Sequence, residues 1–196
     1  MRCIDLTDIN LENVSKMRQE YPDSVQSKAC GCAALFARVR WKHISFIIDT
    51  APKASKRPRL SGYRIYVPGA AKNATFFNNN VLPGLEDVFI TTPCKVKVDY
   101  YMPTPESFSK TQKLLAEMKI LRPWTNTGDI DNLMKSTFDM IQPNEKRGHR
   151  GIMENDCLII ESHSNKYYSI HPRTEVTISW MGKIPDNIKN VLRLNR

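Results

Sequence analysis

The run Asp129-Ile130-Asp131-Asn132-Leu133-Met134-Lys135 places two carboxylates two residues apart, with a lysine one turn after the second. Acids so spaced at the head of a helix offer hard oxygen ligands of the kind Mg²⁺ takes, and that cation keeps several waters for a substrate phosphate. The chain around them is basic. It carries 29 Lys and Arg against 20 Asp and Glu, a formal net charge of +9, spread along the sequence and not gathered in a tail. Acids clustered on a protein that otherwise attracts polyanions point to a divalent cation presented to a nucleic-acid backbone, since bare carboxylates repel phosphate. The same run also reads as ordinary helix chemistry, with Asp129 as an N-cap and Asp131 and Lys135 as an ion pair.

A helix must hold these acids in place. Ile130, Leu133, Met134, Phe138 and Ile141 fall at helical spacing and predict an amphipathic helix over 131–141. Asp131, Lys135 and Asp139 step along a different face, and Asp139, two turns away, reads as a helix-face residue and not a ligand. A second acidic cluster, Glu154-Asn155-Asp156, precedes Cys157-Leu158-Ile159-Ile160, which reads as a short buried strand. A strand pairing beside that helix would bring Asp156 to Asp129 and Asp131. Three such carboxylates suit Mg²⁺, which lowers the pKa of water and neutralises charge on a scissile phosphate. Lys135 would stabilise the developing charge or the leaving oxygen.

Around the motif, the pattern predicts an α+β domain: a small mixed sheet with helices packed on it, preceded by a helical extension over 1–42. Strands are expected at Ile44–Ile48, Tyr63–Val67, Lys95–Tyr101 and Thr174–Trp180, the third alternating most cleanly. Helices are expected through Phe76 and Phe77, from Ser107 to about Lys119, and over 186–194. The domain proper is placed at 43–182, with 183–196 as a tail or short helix. Lys53 to Arg59 forms a basic loop, with Lys53, Lys56, Arg57 and Arg59 as candidate phosphate contacts or simply a solvated loop. Tyr63, Tyr66, Phe76 and Phe77 read as core.

Composition excludes several classes. At 41% hydrophobic residues the chain can bury a core, and no apolar run or basic amphipathic helix suits a membrane. Five cysteines, an odd number without framework spacing or a signal peptide, indicate a reducing, cytoplasmic setting. Cys30-Gly31-Cys32 lacks the gap of a zinc site and reads as small-residue packing. His43, His149, His163 and His171 show no ligand spacing, and no organic cofactor is implied.

Taken together, Asp129-Ile130-Asp131-Asn132-Leu133-Met134-Lys135, the later Asn155-Asp156 leading into an apolar run, and the basic Pro52-Lys53 and Lys56-Arg57-Pro58-Arg59 segment resemble the RusA family of Holliday-junction resolvases. The Ser109-Lys110 step after a proline-rich segment also fits, and the similarity covers roughly residues 43 to 181. The resemblance implies a homodimeric endodeoxyribonuclease of bacteria or phages, acting in recombination and repair. It would use Mg²⁺, with Mn²⁺ as a substitute, to nick four-way DNA junctions in symmetric pairs. It implies Asp129, Asp131 and Asp156 as metal-binding acids, Lys135 as the catalytic lysine, and Lys110 as a further DNA contact. Asn155 replaces the first member of the family's acidic pair, and Thr127-Gly128 stands where the family commonly places a basic residue and proline. Two alternatives stay open: a phage nuclease trimming branched or flapped DNA, and a non-catalytic DNA-binding module.

Overall fold

The computed structural model describes residues 14–15, 19–36, 38–55, 59–61, 64–66, 70–124 and 127–182. Two compact units divide the chain, residues 1–42 with 180–196 and residues 43–179. In the first, helix α1 spans Asp23–Phe36, and the Pro22 carbonyl accepts the Val25 and Gln26 N–H groups at its start. Among the described residues the expected packing at Cys30-Gly31-Cys32 is not observed: Cys30 is exposed, Cys32 is half-buried, and a Cβ at Gly31 would meet nothing within 4 Å.

The second unit is built on a four-stranded sheet in the order β1 (Trp41–Ile48), β6 (Arg173–Met181), β4 (Cys94–Pro103), β5 (Ile159–Ser169). Strands β4 and β5 are parallel, in register from Lys95 opposite Glu161 to Pro103 opposite Ser169. Parallel neighbours require a long crossover. Helices α3 (Lys110–Glu117) and α4 (Ile130–Ile141) lie within it. Only residues 170–172 separate β5 from β6. So short a link, at most about 14 Å, can just step over β4, and it sends β6 back antiparallel to β4. The sheet is therefore mixed and the class α+β, as the alternating segments predict. A separate antiparallel ribbon pairs β2 (Arg59–Ser61) with β3 (Arg64–Tyr66), and α2 (Ala70–Asn80) follows.

One face of the sheet makes the core. Ile48, Val96, Val98, Tyr100, Val176 and Ile178 are buried with Phe77 of α2 and Leu133 and Ile141 of α4. Phe46 and Phe77 meet edge to face at 6.0 Å. His149 is a satisfied core histidine, held between Asn78 Oδ1 and the Met140 carbonyl. The other face carries cross-strand charge. Lys95 pairs with Glu161, and Asn165 donates to Asp99 at 2.9 Å. Lys95 first, then His163, holds the Glu161 carboxyl below its ordinary range.

The structure corrects three expectations. The buried strand expected at Cys157–Ile160 is a 3-10 turn, Asp156–Leu158, with Cys157 exposed; the strand runs from Ile159 to Ser169 and includes Lys166, Tyr167 and Tyr168. It is an edge strand, so Ile160 stands 58% exposed and the alternation is blurred by Ser162, Ser164 and Lys166. Helix α3 opens at Lys110 because Ser109, not Ser107, forms a reciprocal capping box with Gln112. The buried face of α4 is rotated from the apolar stripe: Ser136 and Thr137 are buried, while Ile130 is 37% exposed. The Tyr100 hydroxyl bonds Thr137 Oγ1 at 3.0 Å, and Thr137 Oγ1 donates to the Leu133 carbonyl, so a hydroxyl side chain is satisfied on this buried face. The helix expected over 186–194 and the tail at 183–196 lie outside the described residues.

Candidate active site

Helix α4 begins at Ile130 with Asp129 in the N-cap position (φ −74°, ψ 145°). An N-cap aspartate usually spends its carboxylate on the N–H groups of the first turn. Asp129 makes no such bond, and its side chain is exposed. Asp131 follows in the first turn and Lys135 one turn on, both exposed, and among the described residues no ion pair joins them. The helix-chemistry reading of these residues thus loses both of its contacts. Two carboxylates at the positive end of a helix dipole are left turned to solvent.

Three contacts hold this end in place. Lys166 reaches from β5 to donate to the Gly128 carbonyl at 3.0 Å and to Thr127 Oγ1 at 3.4 Å. On another side, the Ser55 N–H donates to the Asn132 carbonyl at 2.9 Å. That bond brings the segment after β1, with exposed Lys53, onto the first turn of α4. Gly128 has φ +78°, and a Cβ there would stand 3.0 Å from the Ala54 Cβ. Proline fixes φ near −65°, so the proline common at this position in the resembled family cannot adopt this backbone.

Asp156 lies elsewhere. The Ile152 and Met153 N–H groups donate to the Ile141 carbonyl, so the segment leading to Asp156 leaves from the C-terminal end of α4. Asp156 is exposed and starts the 3-10 turn before β5, with the Asn155 side chain accepting the Cys157 N–H at 2.9 Å. Seven residues of strand separate Ile159 from Lys166, and α4 is 12 residues long. Their rises, roughly 23 Å and 18 Å, put Asp156 on the order of 20 Å, about the length of α4, from the Asp129–Asp131 pair. Accordingly, among the described residues no three His, Cys, Asp or Glu side chains gather as a metal-holding group.

The basic candidates divide. Lys53 flanks the acidic pair, and Lys110 is exposed at the first position of α3. Lys56 and Arg57 lie outside the described residues, and Arg59 is placed only as backbone in β2. Tyr63 is likewise outside them, Tyr66 is placed as backbone in β3, and Phe77 is core as expected. Lys166 carries no signal in its local sequence; only the parallel register, which sets it opposite Tyr100 on the helix-covered face, aims it at Gly128. Trp124, 85% exposed in the segment before the acidic pair, is a second residue that the spacing did not single out. An exposed tryptophan beside a charged motif is the signal that could have found it.

A small mixed sheet with an acidic-headed helix packed on it and basic elements at its flank defines a compact nuclease domain. A family model described as endodeoxyribonuclease RusA matches residues 49–179. The chain belongs to the RusA endodeoxyribonuclease family. A relative from Bacillus subtilis (strain 168), described as uncharacterized protein YqaN, is 30% identical over 142 residues, covering 69% of this chain and 94% of its own length. Among the described residues no helix is long and apolar enough to cross a membrane.

Proposed function

We propose that this protein is a divalent-metal-dependent endodeoxyribonuclease that resolves four-way DNA junctions by paired symmetric nicks, as a homodimer. The observation that carries the reading is the head of α4, where Asp129 and Asp131 stand exposed and, among the described residues, in no cap bond or ion pair. Their donor set fits Mg²⁺ or Mn²⁺: hard, anionic oxygens with open positions for water and phosphate. A cation bound there supplies Lewis-acid neutralisation of charge on the scissile phosphate. The chain's own groups do the rest. Lys135 projects one turn on, placed to stabilise negative charge on phosphorus-bound oxygens, while Lys53 and Lys110 hold the flanking backbone. Lys166 fixes the carbonyl immediately before Asp129.

Asp156 belongs to this reading through the homodimer. Its distance from the acidic pair along α4 means that its carboxylate would join the pair from a second copy. A two-fold arrangement with antiparallel α4 helices supplies that twice, giving two equivalent sites. Residues 1–42 and 183–196 are proposed as extensions flanking the nuclease domain.

Purified protein is incubated with labelled four-way junction, flap and linear duplex, in Mg²⁺, Mn²⁺ or EDTA. Metal-dependent paired nicks in the junction, lost in Asp131→Asn, are expected. Binding without cleavage in either metal would leave a DNA-binding module, and equal cutting of flaps would leave the branched-DNA nuclease. The contribution across subunits has its own test. Asp131→Asn and Asp156→Asn chains, inactive separately, regain single-strand nicking when co-assembled, because each mixed dimer then keeps one intact site. If Asp156 acts within its own chain, mixing restores nothing.

A further inference from the structure

Beside the acidic pair lies a pocket of about 420 Å³ whose walls include Pro103, Phe108, Leu121, Trp124, Thr127 and Tyr168. Its volume falls within the range of small-ligand clefts, roughly 300–1,000 Å³. Two aromatic rings are fixed in it: Phe108 and Tyr168 meet edge to face, with centroids 5.3 Å apart. The third is not fixed by burial, since Trp124 is 85% exposed, the most exposed large apolar side chain among the described residues. Among the described residues no carboxylate lines the pocket, and Arg122 does, with its guanidinium stacked over the neighbouring Tyr167 ring at 4.7 Å.

Its place relative to the site follows from strand register. Along the helix-covered side of β5, Ser164 meets Met134 of α4, Lys166 meets Gly128, and Tyr168 meets Phe108 in the pocket. Each two-residue step advances roughly 7 Å. Thr127 both lines the pocket and accepts from Lys166, two residues before Asp129. The pocket thus opens within about one nucleotide's reach of the carboxylates.

We propose that this pocket is a nucleobase subsite: an unpaired base of the branched DNA stacks on Trp124 against the Phe108–Tyr168 wall, while Arg122 meets an adjoining phosphate. The inference rests on the nuclease reading above. Aromatic rings with a cationic rim recognise a base by its π-face and its backbone by charge, independently of sequence. A continuous duplex keeps every base paired and stacked on both sides, whereas pairs flanking an opened branch point lack one stacking neighbour and unpair at lower cost, so the pocket favours branched over linear DNA. A peptide would have no comparable reason to find an acid-free, guanidinium-rimmed pocket next to the acidic pair.

The test uses the full chain carrying Asp131→Asn, with junctions bearing 5-iodouracil at single positions around the branch point. Irradiation is expected to cross-link an unpaired position to the segment containing Trp124, Phe108 or Tyr168. Trp124→Ala should weaken junction binding roughly 5- to 150-fold, as loss of one base–aromatic stack does. Linear-duplex binding should stay within a factor of about two, and Trp124→Phe should restore most of the junction preference. Cross-links confined to other segments, or an unchanged junction-to-duplex ratio in Trp124→Ala, overturn the proposal. So does a change of oligomeric state on sedimentation without loss of junction preference, which would make the pocket a subunit contact. Wild-type protein that neither binds nor cuts branched DNA defeats the nuclease reading itself. Wild-type cleavage that Trp124→Ala leaves untouched defeats the pocket alone.

Discussion

Replacing Gly128 with alanine probes how the acidic pair is held. The residue sits at φ +78°, where an L side chain costs about 1–2 kcal/mol. The loss of glycine's freedom in the unfolded chain returns about 0.4–1 kcal/mol. The new Cβ would stand 3.0 Å from the Ala54 Cβ, and Ala54 has little room to yield because its neighbour Ser55 is bonded to the Asn132 carbonyl. Overpacking of that kind adds at least about 1 kcal/mol. The sum is about 2 kcal/mol of lost stability, a factor of roughly 30 in the folded-to-unfolded ratio, read by urea unfolding. Because Asp129 is the next residue, cleavage of a four-way junction should fall further, by up to about 100-fold for a displacement near 1 Å. The two causes are separable. Gly128→Asn should recover part of the stability, since asparagine tolerates the left-handed region. Gly128→Ala combined with Ala54→Gly should recover the contact part, seen as a coupling near 1 kcal/mol in a double-mutant cycle. Stability within about 0.5 kcal/mol of wild type for Gly128→Ala, an ordinary surface-substitution effect, would refute the reasoning.

Other perturbations give equally definite outcomes. Gly151 has φ +62°, and a Cβ there would meet the Gln142 carbonyl carbon at 2.4 Å, so Gly151→Ala should cost well over 2 kcal/mol by urea unfolding and shift the segment leading to Asp156. Lys166→Met removes charge-assisted bonds to Gly128 and Thr127; at about 1.5–3 kcal/mol it should slow junction cleavage roughly 10- to 100-fold while DNA affinity changes little, and Lys166→Arg should restore part of the rate. Burial pushes the Cys94 thiol from 9.0 up to about 11 and raises the Tyr100 hydroxyl as well. Both groups hold their protons more tightly folded than unfolded; the Cys94 contribution is complete below pH 9 and is lost as pH rises through about 11, and the Tyr100 contribution is lost at higher pH still. Urea midpoints should therefore decline from pH 9 upward, and thiol labelling of the native protein at pH 8 should modify exposed Cys157 but not Cys94.

Much of the fold was written in local sequence. The alternation of Val96, Val98 and Tyr100 with Lys95, Lys97 and Asp99 specified β4, because a half-buried strand must alternate. Leu133 and Ile141 anchored α4, and Asp129 and Asp131 were legible as its acidic head from spacing alone. What periodicity could not state was which of the remaining α4 positions face the core. Thr137 is accommodated inside because the Tyr100 hydroxyl bonds its Oγ1, a partnership between elements 37 residues apart. Nor could it give the length of β5, whose edge position leaves its alternation incomplete.

The sequence by itself determined the chemistry at hand: two acids, a lysine, a basic loop and a strand-and-helix order sufficient for an α+β nuclease domain. Only the tertiary structure decided where these groups stand. Parallel pairing of β4 with β5 sent Lys166 to the Gly128 carbonyl and Tyr168 to the pocket beside Trp124. The turn at Gly151 returned the chain to the C-terminal end of α4, and so set Asp156 apart from Asp129 and Asp131. Residue spacing fixes neighbours along one element, whereas distance between elements depends on strand register and the path of the crossover.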